Sequence, residues 1–329
     1  MKTRRLGRDG PKVSAIALGC MRMARFAKPL DVQTDAEAIA TIQEAIDAGI
    51  NILNTGDFYG MGHSEALVGH AIKGRRERVF LSVKFGAMIA PGFRMLGHDG
   101  RPNSVKNFIG YSLQRLGVDA IDLYQVGRPD THVPYEETIG AIADLIREGK
   151  VRYLGVSEVG VDHLRRAHSV HPVTALEIEY SLACRFIEPK ILPVARELGI
   201  AVAPYRVFGD GLLTGAVSVD PASKEPPFTA PRLQGENRRR NIETASVFLE
   251  IAASKGVAPG TLAIAWLLSR GEDIVPIVGI NRRSRLREAL AAVNIVLTTA
   301  EVTALDQALP LGAIVGDRFP SRLQQISAS

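Results

Sequence analysis

The order of apolar and polar positions along the chain repeats a two-part unit eight times. A short apolar run comes first, and a longer stretch with apolar residues at helical spacing follows it. The run at 15–18 and the amphipathic stretch at 34–48, with Ile39, Ile42, Ala45 and Ile46 on one side, make the first unit. Runs at 52–53, 79–84, 121–124, 153–156, 175–178, 200–203 and 274–278 open the others. Helices are expected near 64–72, 104–116, 135–148, 161–168, 189–198, 238–254 and 284–293. Gly49, Gly117, Gly149 and Gly199 stand where a helix must stop before the next strand.

Eight such alternations predict an α/β fold of the (β/α)8 TIM-barrel type, with parallel strands closed on themselves. A doubly wound open sheet would carry a Gly-rich fingerprint after its first strand, and Gly19-Cys20-Met21-Arg22 is not one. Residues 1–329 are read as one domain, with a β-hairpin at 3–13 before the barrel and extra helices at 262–268 and 299–308. The segment 209–236, rich in Gly, Pro and Ser, is longer than a connector needs and reads as a lid or binding loop.

Composition narrows the class. With 46% hydrophobic and 23% charged residues over 329 positions, the chain can bury a sizeable core, which excludes disorder throughout. No run of eighteen apolar residues occurs, and the charged start Met-Lys-Thr-Arg-Arg has no adequate apolar segment after it, so a cytoplasmic protein without a membrane partner is expected. Cys20 and Cys184 are the only cysteines and read as buried thiols rather than a disulfide framework. The net charge of +5 gathers at 73–76, 238–240 and 282–287. Without interleaved aromatics these clusters do not read as a nucleic-acid surface. The third follows a strand and opens a helix, the place for a small phosphate ligand. His163, His168 and His171 lack a set of partners for a metal.

In a barrel of this kind the site lies at the carboxyl ends of the strands. There the stretch Asn-Ile-Leu-Asn-Thr-Gly-Asp-Phe-Tyr-Gly at 51–60 and the stretch Leu-Ser-Val-Lys-Phe-Gly at 81–86 place Tyr59 and Lys84 after neighbouring strands. A lysine beside a tyrosine favours the phenolate and makes the hydroxyl a better acid near neutral pH. His63 and His98 fall in adjoining loops and are read as solvent-exposed.

At these residues the chain resembles the aldo-keto reductases, barrels that use NADPH to reduce carbonyls. The resemblance runs nearly end to end, through Gly-Asp-Phe-Tyr-Gly at 56–60, Val-Lys-Phe-Gly at 83–86 and Gln-Arg-Leu-Gly-Val-Asp at 114–119. It continues through Asp-Leu-Tyr-Gln at 122–125, Gly-Val-Ser at 155–157, Glu-Tyr-Ser-Leu at 179–182 and Gly-Leu-Leu-Thr-Gly at 211–215. It implies a tetrad in which Tyr59 gives the proton and Lys84 tunes it. The family's Asp falls on Asn54 and its His on Gly127, so this is a divergent member. Losing the Asp leaves Lys84 without its counter-ion; losing the His removes a donor and opens space.

The resemblance also implies a cofactor track. Ser157 matches the nicotinamide carboxamide ligand, Glu158 and Glu177 stand at the usual Asn and Gln, and Tyr205 matches the stacking aromatic. Gly209 and Leu212 fall near the pyrophosphate, where Asp210 replaces an Arg and needs Arg206 or another cation to offset it. Gly279, Arg282, Arg285 and Glu288 fall at the adenosine phosphate, and Arg forks suit the 2′-phosphate of NADP(H). The expected activity is NADPH-dependent reduction of a small carbonyl, without a metal. A non-redox isomerase or dehydratase in the same cleft, with Tyr59, Lys84 or the added carboxylates Glu158 and Glu177 as acid and base, and a weakly active cofactor-binding or regulatory barrel, are the alternatives. The oligomeric state, a homo-oligomer included, stays open.

Overall fold

The computed structural model describes residues 1–24, 34–92, 94–217, 230–324 and 326–328. Eight parallel strands form the barrel: β1 (Ala17–Gly19), β2 (Ile52–Gly56), β3 (Phe80–Phe85), β4 (Ile121–Val126), β5 (Val151–Ser157), β6 (Val173–Glu179), β7 (Ala201–Tyr205) and β8 (Ile277–Gly279). They pair in chain order, and β8 lies against β1. The ring closes between β7 and the segment entering β8, where the Val202 amide donates to the Asp273 carbonyl and the Val275 amide to the Val202 carbonyl, both at 2.9 Å. Every residue of β2, β3 and β4 is buried, as expected of strands with helices outside and side chains filling the lumen.

The outer layer is α1 (Asp35–Asp47), α2 (His63–Ala71), α3 (Pro102–Leu116), α4 (Tyr135–Arg147), α5 (Val161–Val170), α6 (Ile191–Leu198), α7 (Gly235–Ser254), α8 (Pro259–Ser269), α9 (Arg283–Ala292) and α10 (Thr299–Ala308). Their faces follow the sequence pattern. In α4, Ile139, Ile142 and Leu145 are buried at helical spacing, which sets that face against the sheet. The α1 cap is Thr34, whose side chain accepts from the Glu37 amide, and α10 opens with a Thr298/Glu301 capping box. Gly117 and Gly199 end α3 and α6 in the left-handed region, at φ 65° and 72°, where a β-carbon would be strained.

The N-terminal hairpin, Thr3–Arg5 paired with Lys12–Ser14, closes the floor of the barrel. Buried Leu6 and Val13 cluster there with Ala17, Ile52, Phe80, Leu123, Ala175 and Ala203, so the lower lumen is apolar. A second hairpin, Ala87–Ala90 with Arg94–His98, rises after β3 where the sequence suggested only a loop. Its strands are short and half-exposed, too weakly patterned to read in advance. In the segment 209–236, Gly209–Thr214 and Pro231–Leu233 form 3-10 turns and α7 begins at Gly235. Residues 218–229, the middle of the expected lid, lie outside the described residues.

Cys20 and Cys184 are free, buried thiols. In the first basic cluster Arg75 pairs with Asp47 and Arg76 with Asp122, and Arg283 of the third pairs with Glu37. Among the described residues no single helix is long and apolar enough to cross a membrane.

Candidate active site

The parallel register sets Gly56 of β2 beside Lys84 of β3. After Gly56 the chain turns tightly, with the Tyr59 amide donating to the Gly56 carbonyl at 3.1 Å, and the Tyr59 side chain folds back over the strand ends. The Lys84 Nζ lies over the Tyr59 ring, 5.2 Å from its centroid. Both are buried, Lys84 at 4% exposure and Tyr59 at 8%. The juxtaposition expected from two neighbouring strands is present.

Lys84 is not without a counter-ion. Glu177, projecting into the lumen from β6, accepts from Lys84 Nζ at 2.9 Å through Oε1 and 3.0 Å through Oε2. Asn54 accepts from the same Nζ at 2.7 Å through Oδ1, and its Nδ2 donates to Glu177 Oε2 at 2.7 Å and to Ser82 Oγ at 3.1 Å. Gln125 of β4 donates to Glu177 Oε2 at 2.6 Å. The expectation of an unpaired lysine fails because a strand three places around the barrel supplies the carboxylate that β2 lacks.

This network fixes the charge states. Burial works to lower the Lys84 pKa, but Glu177 and Tyr59 outweigh it, and the ammonium is held above its ordinary value. Burial dominates at Tyr59 and pushes the phenol up; Lys84 and Arg128 pull it down, and Glu177 adds to the rise. Lys84 therefore eases ionisation of Tyr59 as anticipated, yet the hydroxyl remains a loaded proton donor at neutral pH.

Gly127, at the missing His, does not leave open space. A β-carbon built there would sit 3.6 Å from the Phe58 ring and 3.2 Å from the Phe85 carbonyl oxygen. Phe58 borders that position, packed edge-on against Tyr59 at 4.8 Å between centroids. The neighbouring Arg128 donates to the Gly127 carbonyl at 2.7 Å and to Ser327 Oγ at 3.0 Å, and its guanidinium faces the Phe319 ring at 5.3 Å. His63 and His98 are half-buried rather than exposed. His63 approaches Asp35 at 3.3 Å, and burial with Arg128 nearby lowers His98 to about 4, leaving it neutral.

Farther along the mouth the charged replacements form a second cluster. Glu158, fully buried, accepts from Tyr205 Oη at 2.8 Å, from the Glu179 amide at 2.8 Å and from Arg318 at 2.9 and 3.2 Å. Burial works to raise its pKa, but Arg128 and Arg318 outweigh it and hold the carboxyl below its ordinary value. Asp210 is offset by Arg206 at 3.2 Å and Arg232 at 2.7 Å, the compensation its position required. Arg206 and Arg232 also reach Glu179, which no sequence argument singled out. Its signal was the Glu-Ile-Glu spacing, because alternate residues of one strand share a face. Glu158, Arg206 and Asp210 each hold φ between 52° and 57°, strain that clusters along this one edge.

Ser157 is buried at the end of β5 beside Glu177, and Tyr205 ends β7. Gly209 is held by close approach, since a β-carbon there would meet Ala183 at 2.9 Å; Leu212 is buried beneath it. Gly279 ends β8 facing open space, and Arg282, Arg285 and Glu288 are exposed at the start and outer face of α9. The α9 N-cap residue, Arg282, makes no capping hydrogen bond with its side chain. Among the described residues no group of three or more His, Cys, Asp or Glu is placed to hold a metal.

The barrel, with Tyr59 and Lys84 at the ends of its second and third strands, is assigned to a family by sequence comparison. The model of the aldo/keto reductase family matches residues 15–310, and the chain belongs to that family. It is 37% identical over 326 residues to a probable aldo-keto reductase of Glycine max, covering 98% of this chain and 93% of that one. Among solved structures it resembles a glycerol dehydrogenase of Gluconobacter oxydans, with a TM-score of 0.83, 27% identity and coverage of 97% and 98%. An aldo-keto reductase of Bacillus halodurans in its holo form gives a TM-score of 0.78 at 25% identity, covering 94% and 96%.

Proposed function

We propose that this protein is an NADP(H)-dependent reductase of small carbonyl compounds, with Tyr59 as proton donor and Lys84 as the cation that tunes it. The observation that carries the reading is the buried Lys84 ammonium 5.2 Å from the Tyr59 ring centroid, both at the carboxyl ends of the barrel strands. The residues present suit the cofactor. Exposed Arg282 and Arg285 at the start of α9 match a phosphate in charge and donors, and Ser157 and the Tyr205 ring stand at the nicotinamide end. Gly209, Leu212, Gly279 and Glu288 lie between or beside these points.

The cofactor, when bound, supplies the hydride. Tyr59 hydrogen-bonds the substrate oxygen and gives its proton as the carbonyl carbon is reduced, so a C=O becomes CH–OH. Lys84 stabilises the phenolate left behind. The wall at Phe58 and Gly127 offers no donor to the oxygen, which leaves Tyr59 as the principal one and favours substrates with a flat apolar flank. The glycerol dehydrogenase relative acts on a small polyol, in keeping with a small-molecule substrate.

Against the non-redox alternative in its carboxylate form stands the pairing of Glu158 and Glu177, each with a cation. The test is NADPH oxidation with a panel of activated aldehydes and ketones. Tyr59→Phe is expected to lower kcat by about a hundredfold or more while NADPH fluorescence quenching persists. Absence of both quenching and turnover in the wild type would overturn the reading.

A further inference from the structure

We infer that Glu177 is a positioning residue that takes over, from across the lumen, the service the missing carboxylate at position 54 would have given Lys84. The inference rests on the reductase reading for its kinetic consequence but on geometry for its substance. Both Glu177 oxygens face Lys84 Nζ within 3.0 Å, and the remaining polar neighbours of the carboxylate are Asn54 and Gln125. All four side chains are at most 4% exposed. Below them lies the apolar floor around Ile52, Phe80 and Leu123. In such surroundings a lone charge is costly and a neutral pair is tolerated.

The same geometry explains why position 54 is an amide. Lys84 only donates and ionised Glu177 only accepts, so the residue between them must accept on one side and donate on the other. Asn54 does both. An aspartate there would set a carboxylate oxygen 2.7 Å from Glu177 Oε2, the place of the present Nδ2. Asn54→Asp alone makes the group net negative, and Glu177→Gln alone makes it net positive. Moving the carboxylate back, by Asn54→Asp together with Glu177→Gln, restores neutrality. Gln125 Oε1 has no partner, so on rotating its amide it can accept from the new amide at 177. The bonds that Asn54 and Gln125 give to Glu177 then each have a counterpart of reversed direction.

The charged groups facing Tyr59 are Lys84, Glu177 and Arg128, and Lys84 also faces the Cys20 thiol. Removing Glu177 lowers the pKa of Lys84, whose main support it is, and that of Tyr59, whose phenolate it opposes. Three variants are compared: Asn54→Asp, Glu177→Gln and the two combined. Their readouts are the pH profile of NADPH-dependent turnover and the ultraviolet titration of Tyr59, taken as the difference from the corresponding Tyr59→Phe protein. Glu177→Gln is expected to move the basic limb and the Tyr59 titration to lower pH, with a fall in kcat on the order of tenfold, the factor that accompanies one pKa unit. The double variant should return toward the wild type in both readouts.

A Glu177→Gln protein with unmoved limb and titration overturns the inference, as does a double variant no nearer the wild type than Glu177→Gln. If Glu177→Gln fails to fold, a folded double variant with the wild-type titration supports the inference, and a double variant that also fails overturns it. A wild type that reduces no carbonyl while its Tyr59 titration follows the carboxylate from 177 to 54 overturns the reductase reading and upholds this one.

Discussion

Position 127 has no side chain, and a β-carbon there would touch the Phe58 ring at 3.6 Å and crowd the Phe85 carbonyl oxygen at 3.2 Å. Gly127 and Phe58 are complementary in shape: the ring approaches the glycine from one side while the Phe85 carbonyl closes the other. Gly127→His is therefore expected to lower stability by about 1–3 kcal/mol through overpacking, and adding Phe58→Ala should recover most of it. Urea denaturation of the two variants measures this; equal midpoints for the single variant and the wild type would show that the ring moves aside freely. Tyr59 shows the same dependence on surroundings. The lysine beside it does what its chemistry requires, but burial is the larger effect and sets the net direction.

At the scale of elements, the turn from β2 into α2 carries a second titratable group. Asp57 donates its amide to the Lys84 carbonyl at 2.9 Å, while its carboxyl Oδ1 is sealed from water without a partner. Burial and neighbouring Glu65 push its pKa up to about 8, against the pull of Arg115 and two backbone amides. Its ordinary value is 3.8. Between those values the folded chain holds a proton that the unfolded chain has lost, so stability falls as pH rises from about 4 to about 8. Asp57→Asn should flatten that slope, read as melting temperature across the range; parallel curves for variant and wild type would contradict it. Strand β6 uses its period of two on one face, sending Glu177 toward Lys84 and Glu179 toward the arginines. The Glu-Ile-Glu pattern was visible in the sequence, but not which cations would meet it.

Across the whole molecule, three carboxylates and three guanidiniums, Glu158, Glu179 and Asp210 with Arg206, Arg232 and Arg318, tie distant segments into one cluster at the barrel mouth. Arg318 brings in the chain near its C-terminal end, where the Ala328 amide also donates to the Glu158 carbonyl at 3.0 Å. Arg318→Met is expected to cost about 3 kcal/mol by leaving Glu158 buried without its ion-paired guanidinium, Arg128 remaining as a nearby cation. Adding Glu158→Gln should return much of that. Because Glu158 is held below its ordinary 4.5, the pair's contribution is present above that pH and is lost as pH falls through the lower folded value. The Arg318→Met protein should therefore lose less stability on acidification than the wild type, a difference that acid titration followed by circular dichroism would measure.

The sequence by itself determined the barrel, because a strand covered on both faces and a helix covered on one leave different periods of apolar residues, and glycines mark where the helices stop. It also brought Tyr59 and Lys84 together, since consecutive parallel strands are neighbours and share one working end. It could not reveal that Glu177, 123 residues from Asn54, would complete their charge balance. That contact crosses the lumen between strands that do not pair, so it depends on closure of the ring and on which residues of β6 face inward. Only the tertiary structure decides both, and with them whether Lys84 stands alone or paired.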